Sequence, residues 1–407
     1  MKNIVLILAA VFAALSVSAA VTQTDVVVPG EDGGNFYRIP AIVKTSDGKL
    51  LAVYDWRGDY NNDIRQNGAP AGRVRLMKKV SMDNGATWSG QSELLPGFLN
   101  AHEHGDAALV ADGSRAGHLV CCMAVDAFYG LDGGRIFVSH SYDNGDTWTL
   151  PKEMNIDNRP DWKAVFVASG KMLSTRDGAI MCVALGRTAS EEMLYVLKST
   201  DGGIHWTVTG TTEAGNESKL VEMPDGSLLM SIRNPRSHQF ATSTDGGVTW
   251  TRFSSTITES GINSALITCA DPSGADRLVL SIATHPTQRA VLALYRGSDP
   301  GTWEPVMTLH EGLAAYSDII DLGDGRIGVL AEVIDGNAAG YTLRFYAVDA
   351  KDIFPAGELP ATPACDVDTC SVEYFDLHGS RVGDAATLSG GIYIERRGQT
   401  VSKIAVR

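Results

Sequence analysis

An all-β chain folded as a six-bladed propeller is what this sequence predicts, on three observations. The pattern Ser-x-Asp-x-Gly-x-x-Trp recurs at 81–88, 141–148, 199–206 and 243–250, with starts 60, 58 and 44 residues apart. Asp-Gly followed by an apolar run recurs at Asp47-Gly48, Asp177-Gly178, Asp225-Gly226 and Asp324-Gly325. No stretch sustains helical periodicity over many turns. Repeats of this length built from short strands indicate a propeller rather than a helical solenoid.

Each Ser-x-Asp-x-Gly-x-x-Trp segment reads as a tight turn. Asp accepts from nearby backbone N–H groups, Gly takes positive φ, and Trp lays an apolar plate beside the turn. These segments are expected to fold blades and do no chemistry, so their Trp residues are poor sugar platforms. A degenerate fifth copy stands at 298–303. The Asp-Gly turns should feed strands over 50–54, 179–185, 227–232 and 326–330. The propeller is placed at 22–354, followed by a linker over 355–370 with Pro355, Pro360 and Pro363. Residues 371–407 alternate again and form a small β tail, too short for a good core of its own. At the other end Lys2 precedes an uncharged run over 4–20 that ends in small residues. That reads as an export signal at 1–20, removed on secretion; a membrane-spanning helix needs about 20 apolar residues.

Composition narrows the function. At 407 residues, 44% hydrophobic and 20% charged, the chain is an ordinary globular protein. Its net charge of −14, without a Lys/Arg block, argues against nucleic acid. An anionic substrate would be repelled unless a cleft held a local arginine cluster. Six cysteines lack metal-ligand spacing. Cys365 and Cys370 are near enough in sequence to bridge, while Cys121, Cys122 and Cys182 read as buried small hydrophobes. His102-Glu103-His104 would point both imidazoles one way on a strand, but no third ligand is evident nearby.

Ligands of a propeller sit at the mouth of its channel, so site residues should arrive from several blades. Arg233 and Glu332 each lie 8 residues beyond an Asp-Gly aspartate, and Arg57 and Arg187 each lie 10 beyond one. Even offsets put such groups on one face at similar depth. As charges at strand ends they are equally well read as solvated ends or as convergent site groups.

Phe36-Tyr37-Arg38-Ile39-Pro40 resembles the Arg-Ile-Pro motif of bacterial sialidases, and the four repeated segments resemble that family's Asp boxes. The resemblance runs from about residue 36 to 332. It implies a retaining exo-α-sialidase with Arg38, Arg233 and Arg289 clamping the sialic acid carboxylate; Arg236 and Arg296 rival the last two. It implies Asp63 as acid/base, with Asp59 and Asp55 as alternatives, Tyr316 as nucleophile and Glu217 as its carboxylate partner. By sequence alone a loop Asp is ordinarily a turn residue, and a lone Tyr in a half-apolar run a cross-strand residue. Arg57 and Asp106 would meet the sugar's hydroxyl rim, and Glu332 would orient Arg38. No metal or other cofactor is implied; the expected partners are sialylated glycans. The tail, through 374–381 and 390–394, resembles a type IX secretion sorting domain. That implies outer-membrane secretion machinery as a partner and a surface or secreted location, with the periplasm as alternative. The competing functions are a non-catalytic sialic-acid-binding propeller, a trans-sialidase, and a propeller acting on neutral polysaccharide.

Overall fold

The computed structural model describes residues 21–59, 61–64, 74–98, 103–125, 134–213, 215–234 and 237–355, then 372–375, 382, 391–397 and 400–406. The chain divides into two compact units, Met1–Ala356 and Gly357–Arg407. The expected export signal, Cys365 and Cys370 lie outside the described residues, as do His102 and Arg236.

In the first unit five sheets follow one another along the chain. The first runs Tyr37–Lys44, Leu50–Trp56, Arg75–Ser81, Ser92–Glu93. The second is built on His104–Ala111, Leu119–Val125 and Arg135–Ser141, the third on Ile180–Arg187, Glu192–Ser199 and His205–Thr212. The fourth is Ser218–Glu222, Leu228–Ile232, Gln239–Ser243, Thr251–Ser254. The fifth has seven strands and recruits the N-terminal strand Thr22–Val27, which pairs antiparallel with Thr342–Asp349. Its 20-residue strand Thr302–Asp321 pairs with Ala290–Asp299 along its first half and with Arg326–Ile334 along its second. Repeated register shifts let this strand bend from one set to the next without a turn.

Alternating side chains explain the packing. Leu51 and Val53 face the second sheet, whereas Leu50, Ala52 and Tyr54 face the last strands of the seven-stranded sheet. In Leu119–Val125 every residue is buried: Cys121 and Met123 meet the first sheet, Val120 and Cys122 the third. A strand buried on both faces reads as a continuous apolar run, which is why these cysteines look like small hydrophobes. Cores of this kind join each sheet to the next. The last returns to the first, where Val26, Leu330 and Phe345 pack on Ile42, Leu50 and Tyr54. The sheets therefore close into a ring.

The four repeated segments share one hydrogen-bond scheme. The Ser hydroxyl donates to Asp at 2.8–2.9 Å and accepts the fifth-position glycine N–H at 2.8–2.9 Å. The Asp carboxylate also accepts the seventh-position N–H at 2.8–3.0 Å. That glycine is required twice over. Gly85, Gly145, Gly203 and Gly247 all have φ between 86° and 93°, and each is pressed against the preceding sheet. A Cβ on Gly85 would lie 2.1 Å from Phe345, and one on Gly145 2.9 Å from Leu51. The 298–303 copy departs from the scheme: Asp299 and Thr302 pair directly across a hairpin. In the second unit Val372–Phe375, Gly391–Arg397 and Thr400–Val406 form a three-stranded antiparallel sheet.

Candidate active site

At the end of the strands opposite the Asp-Gly turns, several sheets contribute an irregular strand. The register shifts between Arg38 and Ala41, Gly105 and Ala108, and Ala314 and Ser317. Ile39 and Asp106 there have φ of 58° and 53°, and Val291, two residues after Arg289, has 62°. For β-branched Ile and Val this backbone is strained. Bulges re-aim side chains, and here they aim Arg38, Asp106, Arg289 and Tyr316.

Three arginines meet Tyr316 in one place. The guanidinium carbons of Arg38, Arg233 and Arg289 lie 5.7, 5.8 and 5.6 Å from the centre of the Tyr316 ring. Tyr316 Oη donates to Glu217 Oε2 at 2.6 Å, and Arg233 Nη1 donates to both Tyr316 Oη (2.7 Å) and Glu217 Oε2. Arg233 Nε is anchored on the Gly261 carbonyl at 2.7 Å. Glu332, fully buried, joins two strands: Oε1 accepts from Arg38 Nε and Ile39 N at 2.7 Å, and Oε2 accepts from Tyr316 N at 3.0 Å. Tyr341, missed in the sequence, lies under Arg38 at 5.0 Å, and Asn61 accepts from Arg38 Nη1 at 3.3 Å. Burial and the Glu217 charge hold the Tyr316 hydroxyl well above the usual phenol range, so it rests protonated.

A second cluster lies beside the first. Arg57 is 1% exposed and forks between Asp55 Oδ2, at 2.9 Å from Nη2, and Asp63 Oδ1, at 2.5 Å from Nη1. Asp55 Oδ1 accepts the Asp106 N–H at 3.0 Å. The resemblance implies a place for Arg57 at the sugar's hydroxyl rim; in the structure its guanidinium is buried and holds two carboxylates. Asp63 is the exposed member, with 54% of its side chain accessible. Burial works to raise Asp63, but the charge and hydrogen bond of Arg57, with Arg38 and Arg289, hold it below the usual range. Asp106 goes the other way: burial, then Asp55 and Asp63, raise it well above. Asp55, the deeper alternative, is pushed up to about 6 by burial despite Arg57. Asp59 accepts from Asn35 Nδ2 at 2.7 Å.

Arg296 is not at this site; it pairs with Glu304 and reaches the Ile353 carbonyl. Arg187, despite its matching offset, forks onto Glu192 across its own hairpin. Glu103 and His104 are buried, and among the described residues no group of three or more His, Cys, Asp or Glu gathers to hold a metal.

The arrangement has relatives. The chain is 28% identical over 346 residues to a sialidase of Micromonospora viridifaciens, covering 76% of this chain and 52% of that protein. It is 27% identical over 369 residues to a sialidase of Bacteroides fragilis (strain YCH46), covering 80% and 64%. The chain thus spans about half to just under two thirds of these relatives' length. Among solved structures, Hadza microbial sialidase Hz136 superposes with a TM-score of 0.72 at 23% identity, covering 81% of this chain and 68% of that one; it has the same curled all-β fold. A BNR repeat-like domain model matches residues 126–329, half of the 407 residues. On that match the chain belongs to the BNR repeat-like domain family, and the relatives it aligns with are sialidases.

Proposed function

We propose that this chain is a retaining exo-α-sialidase that releases terminal α-ketosidically linked sialic acids from glycoproteins, glycolipids or oligosaccharides. The carrying observation is the convergence of Arg38, Arg233 and Arg289 on Tyr316, whose hydroxyl donates to buried Glu217. Three guanidinium groups, charged at any working pH, suit a sugar that carries a carboxylate. They also overcome the repulsion expected from a chain of net charge −14.

With the carboxylate held there, Glu217 takes the Tyr316 proton as Oη bonds to the anomeric carbon. The bond from that carbon to the departing oxygen breaks, and Asp63 gives that oxygen its proton. Water then attacks the same carbon as its bond to Tyr316 Oη breaks; Asp63 takes a proton from the water, and Glu217 returns the proton it first took to the departing Tyr316 oxygen. A neutral phenol escapes the repulsion an attacking carboxylate would meet beside the substrate's own, and Tyr nucleophiles are the sialidase exception among glycosidases. Asp63 rests below the usual range partly through Arg38 and Arg289. A bound carboxylate cancels that pull, so substrate itself raises the acid's proton affinity.

The same reading counts Thr302–Asp321 once for each set of strands it joins, which makes six blades over 22–354. It assigns 1–20 to export, 355–370 to a linker and 371–407 to sorting across an outer membrane, with the surface or medium as destination. The test is release of free sialic acid from an aryl sialoside by the full chain. Binding without release would make the chain a sialic-acid-binding propeller. Transfer to a sugar acceptor in place of release would make it a trans-sialidase.

A further inference from the structure

We propose that Lys219 is a positioning residue that fixes the proton-accepting carboxylate through the amide of Asn263. This rests on Glu217 being the base for Tyr316. Lys219 lies in strand Ser218–Glu222, 2% exposed. Its Nζ donates to Asn263 Oδ1 at 2.9 Å. Asn263 Nδ2 donates onward to Ser169 Oγ at 3.2 Å and to Glu217 Oε1 at 3.4 Å, and Ser169 Oγ donates to Glu217 Oε1 at 3.3 Å. The two oxygens of Glu217 are thus divided: Oε2 faces Tyr316 and Arg233, and Oε1 rests on this shelf.

The two ends of a carboxamide are alike in shape, so its neighbours choose which end points where. An ammonium only donates; beside Lys219 the Asn263 oxygen is favoured, and the NH₂ must then face Glu217. Without the ammonium that oxygen loses its donor, and only the long contacts of the NH₂ with Glu217 Oε1 and Ser169 Oγ hold the amide in place. Lys219 therefore acts on Glu217 at one remove, by holding Asn263 in its donating orientation.

Such a lysine is costly to keep. Burial pushes its ammonium down to about 8. The charged groups facing it are Glu217 just before its own strand, Asp318 on Thr302–Asp321, Asp106 on His104–Ala111, and Arg233, which opposes them. Asp318 is itself engaged by Ile42 N and Ile319 N, both at 2.9 Å. The lysine stem passes over Gly170, where a Cβ would stand 3.1 Å from its Cε. Lys219→Met keeps the length of the stem but removes one charge from a buried cluster, which destabilises a fold, so the thermal midpoint is measured beside the activity.

The experiment measures kcat and KM of the full chain on an activated aryl sialoside across pH 5–9 for wild type, Lys219→Met and Asn263→Leu. Each variant should lose about tenfold to a hundredfold in kcat, with KM within about twofold because the carboxylate-binding arginines are untouched. The double variant should lose no more than the worse single one, because both changes break one chain of contacts. Wild-type kcat should also fall through the lysine's titration near pH 8, a step absent from Lys219→Met. Should Lys219→Met fail to fold, Asn263→Leu decides alone, since it removes no charge. Variants that keep wild-type kcat, or whose kcat and KM change together with additive losses, would overturn the proposal. A wild-type chain that releases no sialic acid would instead refute the reading of the site, and Tyr316→Phe with wild-type kcat would refute the nucleophile.

Discussion

At the turn end of the sheets, Asp143, Asp201 and Asp245 are held down to about 2. Slight burial is outweighed there by hydrogen bonds from Thr147, His205 and Thr249. At the opposite end burial pushes Asp55 up to about 6 and lifts Asp106 well above the usual range. One residue type thus serves two ends of the same sheets in opposite ways. The turn carboxylates are satisfied anions that tie a loop to itself; the site carboxylates are crowded, three around the single guanidinium of Arg57. Carboxylates bonded within a single turn hold the fold, and the candidate site gathers carboxylates from separate strands and loops around one cation. Variants at the two ends should therefore separate cleanly into losses of activity and losses of stability.

The largest expected effect is at the site end. Tyr316→Phe removes the oxygen that would form the covalent bond, so activity should fall on the order of 10³-fold or more on every sialoside. Its ring still packs among Arg38, Arg233 and Arg289, so the thermal midpoint should change little. A collapse of both together would show that the site end carries structure as well.

Next comes Asp63→Ala. A poor leaving group such as a sugar hydroxyl needs its proton as the bond breaks, and positioned acid catalysis contributes about 10²–10⁴-fold. An activated aryl group leaves with little help. The variant should lose that factor on natural sialosides and keep a substantial fraction on the aryl substrate. Equal losses on both would move the acid to Asp55 or Asp59.

A smaller and opposite effect is expected at the turn end. In Gly85→Ala the new Cβ meets the Phe345 ring, and φ stays at 88°. Left-handed backbone and overpacking together cost about 2–5 kcal/mol, seen as a lower denaturation midpoint. Enzyme still folded at the assay temperature should keep wild-type kcat. A changed kcat would mean that the ring closure at Phe345 is felt at the site.

What was legible in the sequence follows the same division. The turn end is local: Ser81 bonds Asp83, and Asp83 bonds Thr87, within seven residues, so a repeated pattern reveals it. The arginines and Tyr316 came from motif resemblance, and their convergence depends on contacts such as Glu332 with Arg38, separated by 294 residues. Four features escape a reading of the sequence, for physical reasons. The bulges at Ile39 and Val291 put β-branched residues where local preference forbids them. The burial of Arg57 follows from its fork on Asp55 and Asp63, when an arginine at a strand end ordinarily reads as solvated. Lys219 looks like a solvent-facing strand residue, although a lone charge before the apolar pair Leu220-Val221 was a usable signal. The unbroken strand Thr302–Asp321 was missed because turns were sought and bulges take their place.

The subtlest effect is in the pH dependence of stability, where the two ends should act on different windows. Asp143 titrates at about 2 when folded, below its ordinary 3.8. The folded state then binds fewer protons than the unfolded one, so its contribution is present above pH 4 and lost as pH falls towards 2. Asp55 has the reverse sign: raised from 3.8 to about 6, it is better protonated in the fold. Its contribution is present below pH 4 and is lost as pH rises through 6. Midpoints of ligand-free protein measured from pH 2 to pH 7 should resolve the two. Asp143→Asn should sit below wild type at pH 6 and converge with it near pH 2. Asp55→Asn should remove the decline that wild type shows between pH 4 and 6 while leaving the acid limb alone. If Asp55→Asn declined as steeply as wild type over that interval, the buried titration would belong to Asp106. The contrast between the ends would survive, with the proton held on Asp106 in place of Asp55.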